Sequence, residues 1–348
     1  LKARNSVNSQ IMIFVTGATG LLGSHVLVEL LKRGKTIRAF KRKTSNLNPL
    51  KSVFAHYFGE QADVEFNKIE WVEGDILDIQ SLEDGIAGCS IVYHCAALVS
   101  FKKRDFKNLM KINKEGTANV VNVSLNHNVT QFCHVSSTAA IGRSVSKAIY
   151  DESDKWVNSG DNSNYAISKF SAENEVWRGK EEGLNVVIIN PCVILGVGDW
   201  NESSLSLFKI IKKGLKFYTP GTNAFVDARD VAYVFCELSE RKIENERFLV
   251  ISENLPFKLL FEKIAAAFEV KPPSIQVKKW MTGIAWRIEG VLVFLFGKKQ
   301  NITKDTAKSS MMTTKYSNEK IKAAIGHEFI PIDESVKHAV DYFKSIRY

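Results

Sequence analysis

The chain is poor in cysteine, and its few cysteines do not form a metal-binding or disulfide pattern. Among 348 residues there are five, widely spaced, with neither a Cys-x-x-Cys pair nor a Cys/His cluster. This pattern argues against a metal centre and against a disulfide framework. Most of the five lie in apolar runs, so we expect buried thiols in a reducing, cytoplasmic compartment. They are Cys89, Cys95, Cys133, Cys192 and Cys236.

Long hydrophobic runs are also missing. The most apolar stretch, residues 280–297, is interrupted by Arg287 and Glu289. A helix that spans a bilayer needs about 20 apolar residues, so we expect no membrane insertion and interpret this stretch as a buried or substrate-facing helix. The first apolar run, residues 11–15, is too short for a signal peptide. Residues 1–9 are expected to be an upstream tail.

A nucleic-acid recognition pattern is absent despite the positive charge. The net charge is +9, from 47 Lys+Arg against 38 Asp+Glu, but the basic residues are scattered and no aromatic-basic motif occurs. We therefore expect no nucleic-acid partner. Basic clusters at residues 41–43 and 102–104 would suit a phosphorylated small molecule, and the remaining surplus is expected on a solvated surface.

Apolar runs rich in Ile and Val alternate with helical patterns, which predicts βαβ units. Near-continuous hydrophobicity in these runs predicts a parallel sheet covered by helices on both faces. The fold class is therefore α/β, a Rossmann-like doubly wound parallel sheet. Strands are predicted at residues 11–16, 36–40, 70–73, 91–95, 131–136 and 186–190, and helices at 23–33, 108–126 and 165–182.

The rhythm changes after Gly196. Longer helices are predicted at residues 205–213 and 259–268, and chemistry-bearing motifs become scarce. We interpret residues 10–195 as a dinucleotide-binding domain. Residues 196–348 would then form mainly a smaller C-terminal substrate-capping lobe, with some segments returning to the sheet.

A glycine-rich turn follows the first predicted strand. Gly17, Gly20 and Gly23 are spaced three apart and lead into an amphipathic helical pattern. Glycine is needed where a backbone turns sharply or approaches a pyrophosphate, and the helix N-terminus offers N–H groups to phosphates. The turn therefore predicts a dinucleotide site, to which Thr19, Leu21 and Leu22 also belong; a structural turn without ligand is the alternative.

The second predicted strand ends without an acidic residue. A NAD site would place Asp or Glu there for the ribose 2′-hydroxyl, whereas residues 36–43 read TIRAFKRK. A guanidinium can bind a 2′-phosphate through two hydrogen bonds. We therefore favour NADP(H), with Arg42 as the main contact and Lys41 or Lys43 assisting. NAD(H) remains possible, and so does an exposed basic loop without a ligand.

Other strand ends supply further candidate cofactor contacts, because folds of this type bind ligands at the carboxyl ends of their strands. An acid and an apolar neighbour follow the third strand and could hold the adenine, and small residues follow the fourth. His94 and His134 also end strands, but neither has a carboxylate partner at a recognisable spacing, so we expect packing roles. The candidate contacts are Asp75, Ile76, Cys95, Ala96, Ala97 and Pro191.

Tyr165 and Lys169 form a Tyr-x-x-x-Lys pattern about 145 residues after the glycine turn. Hydride transfer at carbon needs a matched proton transfer at oxygen, and a free tyrosine has a pKa near ~10. A lysine four positions along a helix lies on the same face and can stabilise a phenolate. A chance helical pair is the alternative. Hydroxyl groups for the substrate oxygen are present at residues 136–138.

Seven motifs occur in the order found in extended short-chain dehydrogenases/reductases, which residues 12–230 resemble. They are VTGATGLLG, GDILD, VYHCAA, NKEGT, HVSSTAAIG, YAISK and NPCVILG. Among the subfamilies the chain looks most like the dihydroflavonol 4-reductase and 3β-hydroxysteroid dehydrogenase branch.

This resemblance implies roles for single residues. Ser137, five positions before Gly142, would be the catalytic hydroxyl, with Ser136 and Thr138 as alternatives. Lys169 would hydrogen-bond the nicotinamide ribose, and Asn113 would help to organise a proton-relay water unless it is an ordinary helix-interior residue. Many relatives form dimers through two helices, so a homodimer is possible.

The residues after Ser137 narrow the chemistry. Sugar-nucleotide dehydratases carry Asp-Glu there, whereas this chain carries Thr138-Ala139, so a dehydratase is disfavoured. We expect an NADP(H)-dependent reductase of a ketone or aldehyde on a fairly apolar molecule. A NAD-dependent nucleotide-sugar epimerase and a non-catalytic NADP(H)-binding sensor are the alternatives. Substrate identity is expected to depend on the lobe after Gly196 and on residues 144–164, where Trp156 is a candidate pocket residue.

Overall fold

The computed structural model describes residues 11–142, 147–160, 162–201, 203–278 and 303–346. The apolar stretch 280–297 and the tail 1–9 lie outside these residues, so the helix and tail predictions made for them stay untested. Within the described ranges, no helix is both long and apolar enough to cross a membrane. Nor do these ranges contain three or more His, Cys, Asp or Glu residues grouped so that they could hold a metal ion.

A sheet of seven parallel strands forms the centre of the molecule, in the order β3-β2-β1-β4-β5-β6-β10. Each of the six strands predicted from apolar runs is present, with ends that differ by no more than a residue or so. The Rossmann-like doubly wound fold is thereby confirmed. The strands are β1 (Met12–Thr16), β2 (Thr36–Lys41), β3 (Glu70–Glu73), β4 (Ile91–His94), β5 (Gln131–Val135), β6 (Val186–Pro191) and β10 (Glu246–Val250).

Helices cover both faces of this sheet and bury a separate apolar core on each. In β1, Ile13 and Val15 face one core and Phe14 faces the other, which explains why these strands are hydrophobic at nearly every position. The helices are α1 (Leu21–Lys32), α2 (Asn48–Phe58), α3 (Ala62–Asn67), α4 (Ile79–Ile86), α5 (Phe106–Leu109), α6 (Gly116–Asn126), α7 (Asn164–Glu181), α8 (Ser206–Lys212), α9 (Ala228–Glu240) and α10 (Phe257–Ala267).

The region after residue 195 is more mixed than its predicted helices suggest. Helices α8 and α10 match the predicted segments, and β10 joins the main sheet beside β6. Two small sheets, one of three strands and one of two, are not predicted from the sequence; four of their five strands have only two to four residues. They contain β7 (Val193–Leu195), β8 (Phe217–Tyr218), β9 (Thr222–Asp227), β11 (Glu253–Pro256) and β12 (Ile275–Gln276), and helices Lys304–Ser309, Glu319–Ile325 and Ile332–Ser345 follow.

The position of the site follows from the strand order. The chain passes from β1 outward to β3 and then returns to β4 on the other side of β1. A crevice opens at such a reversal, at the carboxyl ends of the strands. The turn after β1 and the segments after β4, β5 and β6 therefore meet there.

A histidine in the first helix and another in the last helix both contact Tyr57 of α2. His25 in α1 is buried, its Nδ1 lies 2.8 Å from the carbonyl oxygen of Leu21, and its ring meets the edge of Tyr57 at 5.5 Å between centroids. Burial lowers the pKa of His25 to about 4. His338 in the last helix is affected in the same way, since burial lowers its pKa to about 4. Both rings are therefore neutral when the protein is folded near pH 7.

Acidification should destabilise the fold through these histidines. The pKa of His25 is lower in the folded chain than in the unfolded one, so between about pH 4 and pH 6.5 the unfolded chain binds more protons, and stability falls as the pH falls. For a group shifted this far, the loss at pH 5 is about 2 kcal/mol. The difference in free energy of unfolding between pH 7.5 and pH 5, from urea titrations, should shrink by about that amount in His25→Leu. An unchanged difference would contradict this assignment.

Candidate active site

The glycine turn between β1 and α1 brings two backbone segments into contact. Gly17 has φ +67°, and a Cβ atom there would lie 2.5 Å from the backbone nitrogen of Ala96. A Cβ atom on Gly23 would lie 2.1 Å from the carbonyl oxygen of Gly17. Helix α1 starts after Gly20 without a side-chain cap from the described residues, and the first N–H groups of a helix have no partner within it. The turn therefore fits a pyrophosphate, which no side chain here would obstruct.

The side chains of the other predicted residues of this turn are partly or fully buried. Leu22 is buried in the core, and Thr19 and Leu21 are half-buried. Any contact that they make with a phosphate would thus involve mainly their backbone N–H groups. The turn itself is held by a hydrogen bond of 3.0 Å from the Gly20 nitrogen to the Gly17 oxygen.

The basic residues at the end of β2 fall into two groups. Lys41 donates a hydrogen bond to Glu73 in the neighbouring strand, so its charge is already paired. Arg42 and Lys43 are exposed, and their side chains make no hydrogen bond or ion pair with any described residue. The turn beyond them is fixed, because the Arg42 nitrogen donates to Ser45 Oγ at 3.1 Å. The geometry thus leaves Arg42 and Lys43, rather than Lys41, available for a phosphate.

The predicted adenine contacts lie after β3. The backbone nitrogen of Leu77 donates to Asp75 Oδ1 at 3.0 Å, so this carboxylate shapes its own turn. Ile76 is buried and faces Gly116, where a Cβ atom would come within 2.6 Å of its Cδ1. Asp75 is therefore held at the carboxyl edge of the sheet by its own turn, and Ile76 by packing against the start of α6.

Three small residues follow β4, and Pro191 ends β6. Cys95 and Ala96 are half-buried, and Ala97 is exposed. The Ala96 nitrogen donates to Thr16 Oγ1 at 3.3 Å, which joins this segment to the end of β1. Pro191 is buried opposite Val250 of β10. These predicted contacts share the carboxyl edge with the glycine turn.

Tyr165 lies in the first turn of α7, which Ser163 caps through the Ala166 nitrogen at 3.1 Å. The Tyr165 ring meets Phe101 with centroids 5.5 Å apart. Burial raises the pKa of Tyr165, while a hydrogen bond with Ser137 lowers it by a smaller amount. The net shift is upward, opposite to the phenolate stabilisation expected from Lys169. In this geometry Tyr165 is a protonated phenol that can donate a proton.

Lys169 lies one helical turn after Tyr165 and is 2% exposed. Its Nζ donates to the carbonyl oxygen of Val135 at 2.8 Å. Burial lowers the pKa of Lys169 to about 8, and the negative charge of Glu173 opposes this change. The ammonium group is thus directed at the end of β5, beside the segment that carries Ser137.

Of the three hydroxyl residues after β5, Ser137 is the one that contacts Tyr165. Its Oγ also accepts from the Ala139 nitrogen at 3.1 Å, which fixes the side chain. Ser136 Oγ instead donates to Glu173 at 2.6 Å, below the site, and Thr138 is buried. This arrangement favours Ser137 over its two neighbours as the hydroxyl that faces a substrate oxygen.

Asn113 lies in a π-helical turn, Met110–Glu115, between α5 and α6, and is 1% exposed. Its Nδ2 donates to the Leu98 oxygen at 3.0 Å and to Ser168 Oγ at 2.9 Å, while its Oδ1 accepts from the Leu98 nitrogen at 2.7 Å. Both amide N–H groups are therefore used. The side chain ties the segment after β4 to α7, and its predicted role at a relay water gains no direct support from these contacts.

The two strand-end histidines are part of the core, as expected. His94 Nδ1 lies 2.7 Å from Thr16 Oγ1, and its Nε2 lies 2.9 Å from Thr117 Oγ1. His134 stacks on His94 with centroids 5.3 Å apart. Burial lowers the pKa of His94 to about 3 and that of His134 well below its usual value. Both rings are therefore neutral near pH 7 and cannot act as imidazolium acids.

Other residues close to the site are missing from the sequence predictions. Glu173 is buried behind Lys169, and Arg247 on β10 is its ion-pair partner. The signal for Glu173 is its spacing, because residues 165, 169 and 173 lie four apart on one helix face. Arg247 has no such signal, since only the folding of β10 beside β6 brings it near. Trp156, a predicted pocket residue, stacks on Phe170 with centroids 4.4 Å apart; residues 143–146 and 161 of the same loop lie outside the described residues.

Known proteins resemble this chain along most of its length. Sterol demethylase protein B of Methylococcus capsulatus is 30% identical over 244 residues, which cover 69% of this chain and 69% of that protein. Cinnamoyl-CoA reductase 1 of Petunia hybrida is 27% identical over 345 residues, covering 96% and 92%. The crystal structure of the protein gox2253 superposes with a TM-score of 0.79 at 27% identity, covering 96% and 98%.

A family profile gives the assignment. The profile described as NAD dependent epimerase/dehydratase family matches residues 13–250, more than half of the chain. The expected resemblance to extended short-chain dehydrogenases/reductases is thereby confirmed. The protein is an enzyme that uses a nicotinamide cofactor and acts on CH–OH or C=O groups. Its sequence, its fold and the glycine turn agree that the chain belongs to the NAD dependent epimerase/dehydratase family.

Proposed function

We propose that this enzyme is an NADP(H)-dependent reductase of a ketone or aldehyde on a fairly apolar small molecule. The observation that carries the cofactor preference is the end of β2. No acid stands there, and Arg42 and Lys43 are exposed without partners among the described residues. A carboxylate would repel a 2′-phosphate, whereas a guanidinium can bind one through two hydrogen bonds.

The chemistry is assigned to Ser137, Tyr165 and Lys169. A bound nicotinamide cofactor would supply the hydride that reduces the carbonyl carbon. Tyr165 holds a proton at its phenol oxygen and donates it to the oxygen that becomes the alcohol, and Ser137 hydrogen-bonds that oxygen. The raised pKa of Tyr165 keeps this proton in place before the reaction. Lys169 supplies the positive charge that stabilises the phenolate formed afterwards.

The remaining binding contacts follow the same arrangement. The glycine turn with Gly17, Gly20 and Gly23 would hold the pyrophosphate, and the edge after β3 and β4 would hold the adenosine and nicotinamide portions. Residues 196–348 would provide mainly the substrate-capping lobe. An apolar substrate fits the sterol-related name of one relative, and a reductase activity fits the name of another, a cinnamoyl-CoA reductase. A cytoplasmic location and a homodimer stay predictions from the sequence.

A NAD-dependent nucleotide-sugar epimerase is the second candidate, because the same Ser, Tyr and Lys residues serve both reactions. The family to which the chain belongs includes epimerases by its description. The lack of an acid after β2 disfavours this candidate, since an acid at that position would bind the 2′-hydroxyl of NAD.

Cofactor selectivity tests the proposal directly. Wild-type protein should bind NADPH at least tenfold more tightly than NADH, a difference of about 1.4 kcal/mol. Arg42→Ala should lose most of this preference by weakening NADPH binding alone, because only NADPH carries the 2′-phosphate. Fluorescence titrations measure both constants, with the exposed Arg241→Ala at the far end of α9 as a control. NAD that co-purifies, or tighter binding of NADH, would favour the epimerase.

Loss of the phenol tests the catalytic assignment. With a ketone or aldehyde that the wild type reduces, Tyr165→Phe should lower kcat by about 10²–10⁴-fold, the usual contribution of a positioned acid. NADPH affinity should stay unchanged because the ring remains. Tyr233→Phe, whose ring stacks on His327 away from the site, is the matched control. Turnover by Tyr165→Phe at the wild-type rate would show that another group donates the proton.

A further inference from the structure

A buried carboxylate lies directly behind the reacting residues. Glu173 is 2% exposed and is part of α7, one turn after Lys169 and two turns after Tyr165. Side chains four apart on a helix share a face, so the phenol, the ammonium group and the carboxylate follow one another along that face. An isolated buried charge is costly, which means that the surroundings of Glu173 must stabilise it.

Four groups donate hydrogen bonds to this carboxylate. Its Oε2 accepts from Ser136 Oγ at 2.6 Å and from Asn190 Nδ2 at 2.9 Å. Its Oε1 accepts from Arg247 at 3.1 Å and from Trp177 Nε1 at 3.3 Å. The guanidinium, indole and amide N–H groups can only donate. Both oxygens of Glu173 therefore act as acceptors, as an ionised carboxylate does.

Two of these contacts extend to the backbone that carries Ser137. Ser136 is the preceding residue, and its hydroxyl is bound to Glu173. Asn190 uses Nδ2 both for Glu173 and for the carbonyl oxygen of Ser137, at 3.0 Å. The carboxylate thus fixes the backbone at the end of β5 through Ser136 and Asn190, while the Ser137 hydroxyl contacts Tyr165.

The charge of Glu173 also acts on Lys169. Burial lowers the pKa of Lys169, and Glu173 is the carboxylate, among the described residues, that raises it. Within the described ranges, the groups that face Lys169 from other elements carry no comparable negative charge. Burial keeps the Cys95 thiol protonated by raising its pKa, and keeps His94 and His134 neutral by lowering theirs.

Arg247 on β10 balances the pair. It bonds to the outer oxygen of Glu173, and its Nε donates to the carbonyl oxygen of Glu152 at 3.1 Å. A further N–H group donates to the carbonyl oxygen of Asp154 at 3.0 Å. This guanidinium therefore connects the carboxylate to residues 152–154, which precede α7.

We propose that Glu173 is a positioning residue that keeps Lys169 protonated through the reaction and holds Ser137 against Tyr165. Arg247 partly neutralises the negative charge of Glu173 and so reduces its effect on Lys169. This inference rests on the proposed roles of Ser137, Tyr165 and Lys169. It assigns Glu173 no contact with the substrate or the cofactor.

The test compares two variants that should change the pH profile in opposite directions. In Glu173→Gln, Lys169 should lose its proton at a lower pH. The pH at which kcat for carbonyl reduction falls on the alkaline side should therefore decrease by about one unit. In Arg247→Met, the negative charge of Glu173 loses its ion-pair partner, so the pH at which kcat falls should stay the same or increase. The KM for the carbonyl substrate should change less than kcat in both.

Glu175→Gln is the matched control, because this carboxylate lies on the same helix and pairs with Arg178 instead. It should keep the wild-type profile. An unchanged alkaline fall of kcat in folded Glu173→Gln would overturn the proposal, and so would a shift in the same direction in both variants, since general damage to the fold would cause that. If Glu173→Gln does not fold, a downward shift in Arg247→Met would itself overturn it.

A binding measurement separates this inference from the proposed function. NADPH affinity should be titrated between pH 6 and pH 9. As the pH rises, the affinity should begin to fall at a lower pH in Glu173→Gln than in the wild type, because Lys169 loses its proton at a lower pH. If the wild type reduces no carbonyl compound, the proposed function fails, yet this comparison still decides the role of Glu173. Equal pH dependence in the two proteins would overturn that role.

Discussion

The close backbone contact at the β1–α1 turn is the constraint on which the site depends. No Cβ atom fits at Gly17 against Ala96, or at Gly23 against Gly17, so α1 starts directly above the end of β1. The crevice opens where the strand order reverses, and the glycine contact places the start of α1 beside it. Because the sheet is parallel, the ends of β4, β5 and β6 lie along the same edge. Helix α7 packs beside β6, and Lys169 Nζ bonds to the carbonyl oxygen of Val135 at the end of β5, so the reacting face of the helix lies at the crevice.

Burial of ionisable groups governs the chemistry at that edge. Desolvation lowers the pKa of Lys169 and raises that of Tyr165. Burial alone would therefore favour loss of the proton from the lysine and keep the phenol protonated. The neighbouring histidines respond by remaining neutral and packing in the core. One buried carboxylate, Glu173, compensates the lysine, and it is in turn satisfied by Arg247 and three other donors. The site therefore combines one protonated phenol, Tyr165, with a buried ion network that surrounds Glu173.

Comparison of particular residues shows where sequence reasoning succeeds. The spacing of Tyr165 and Lys169 correctly predicted a shared helix face, because a helix repeats every 3.6 residues. The apolar runs predicted the six strands, because strands of a buried parallel sheet must be hydrophobic on both faces. Among the three basic residues at the end of β2, however, the sequence could not show that Glu73 on the neighbouring strand pairs with Lys41. Likewise, the pattern alone could not reveal that the amide of Asn113 is used by Leu98 and Ser168.

The sequence by itself determined the fold class, the dinucleotide turn and the pair on α7, since these depend on local spacing and on periodic hydrophobicity. Only the tertiary structure decided which of the three hydroxyl residues faces Tyr165 and which cations stay unpaired. It also decided that Arg247, more than 70 residues from Glu173 in the chain, would complete the ion network. The physical reason is that hydrogen bonds and charge pairs act over a few ångströms in space, so they depend on which strands lie side by side and not on distance along the chain.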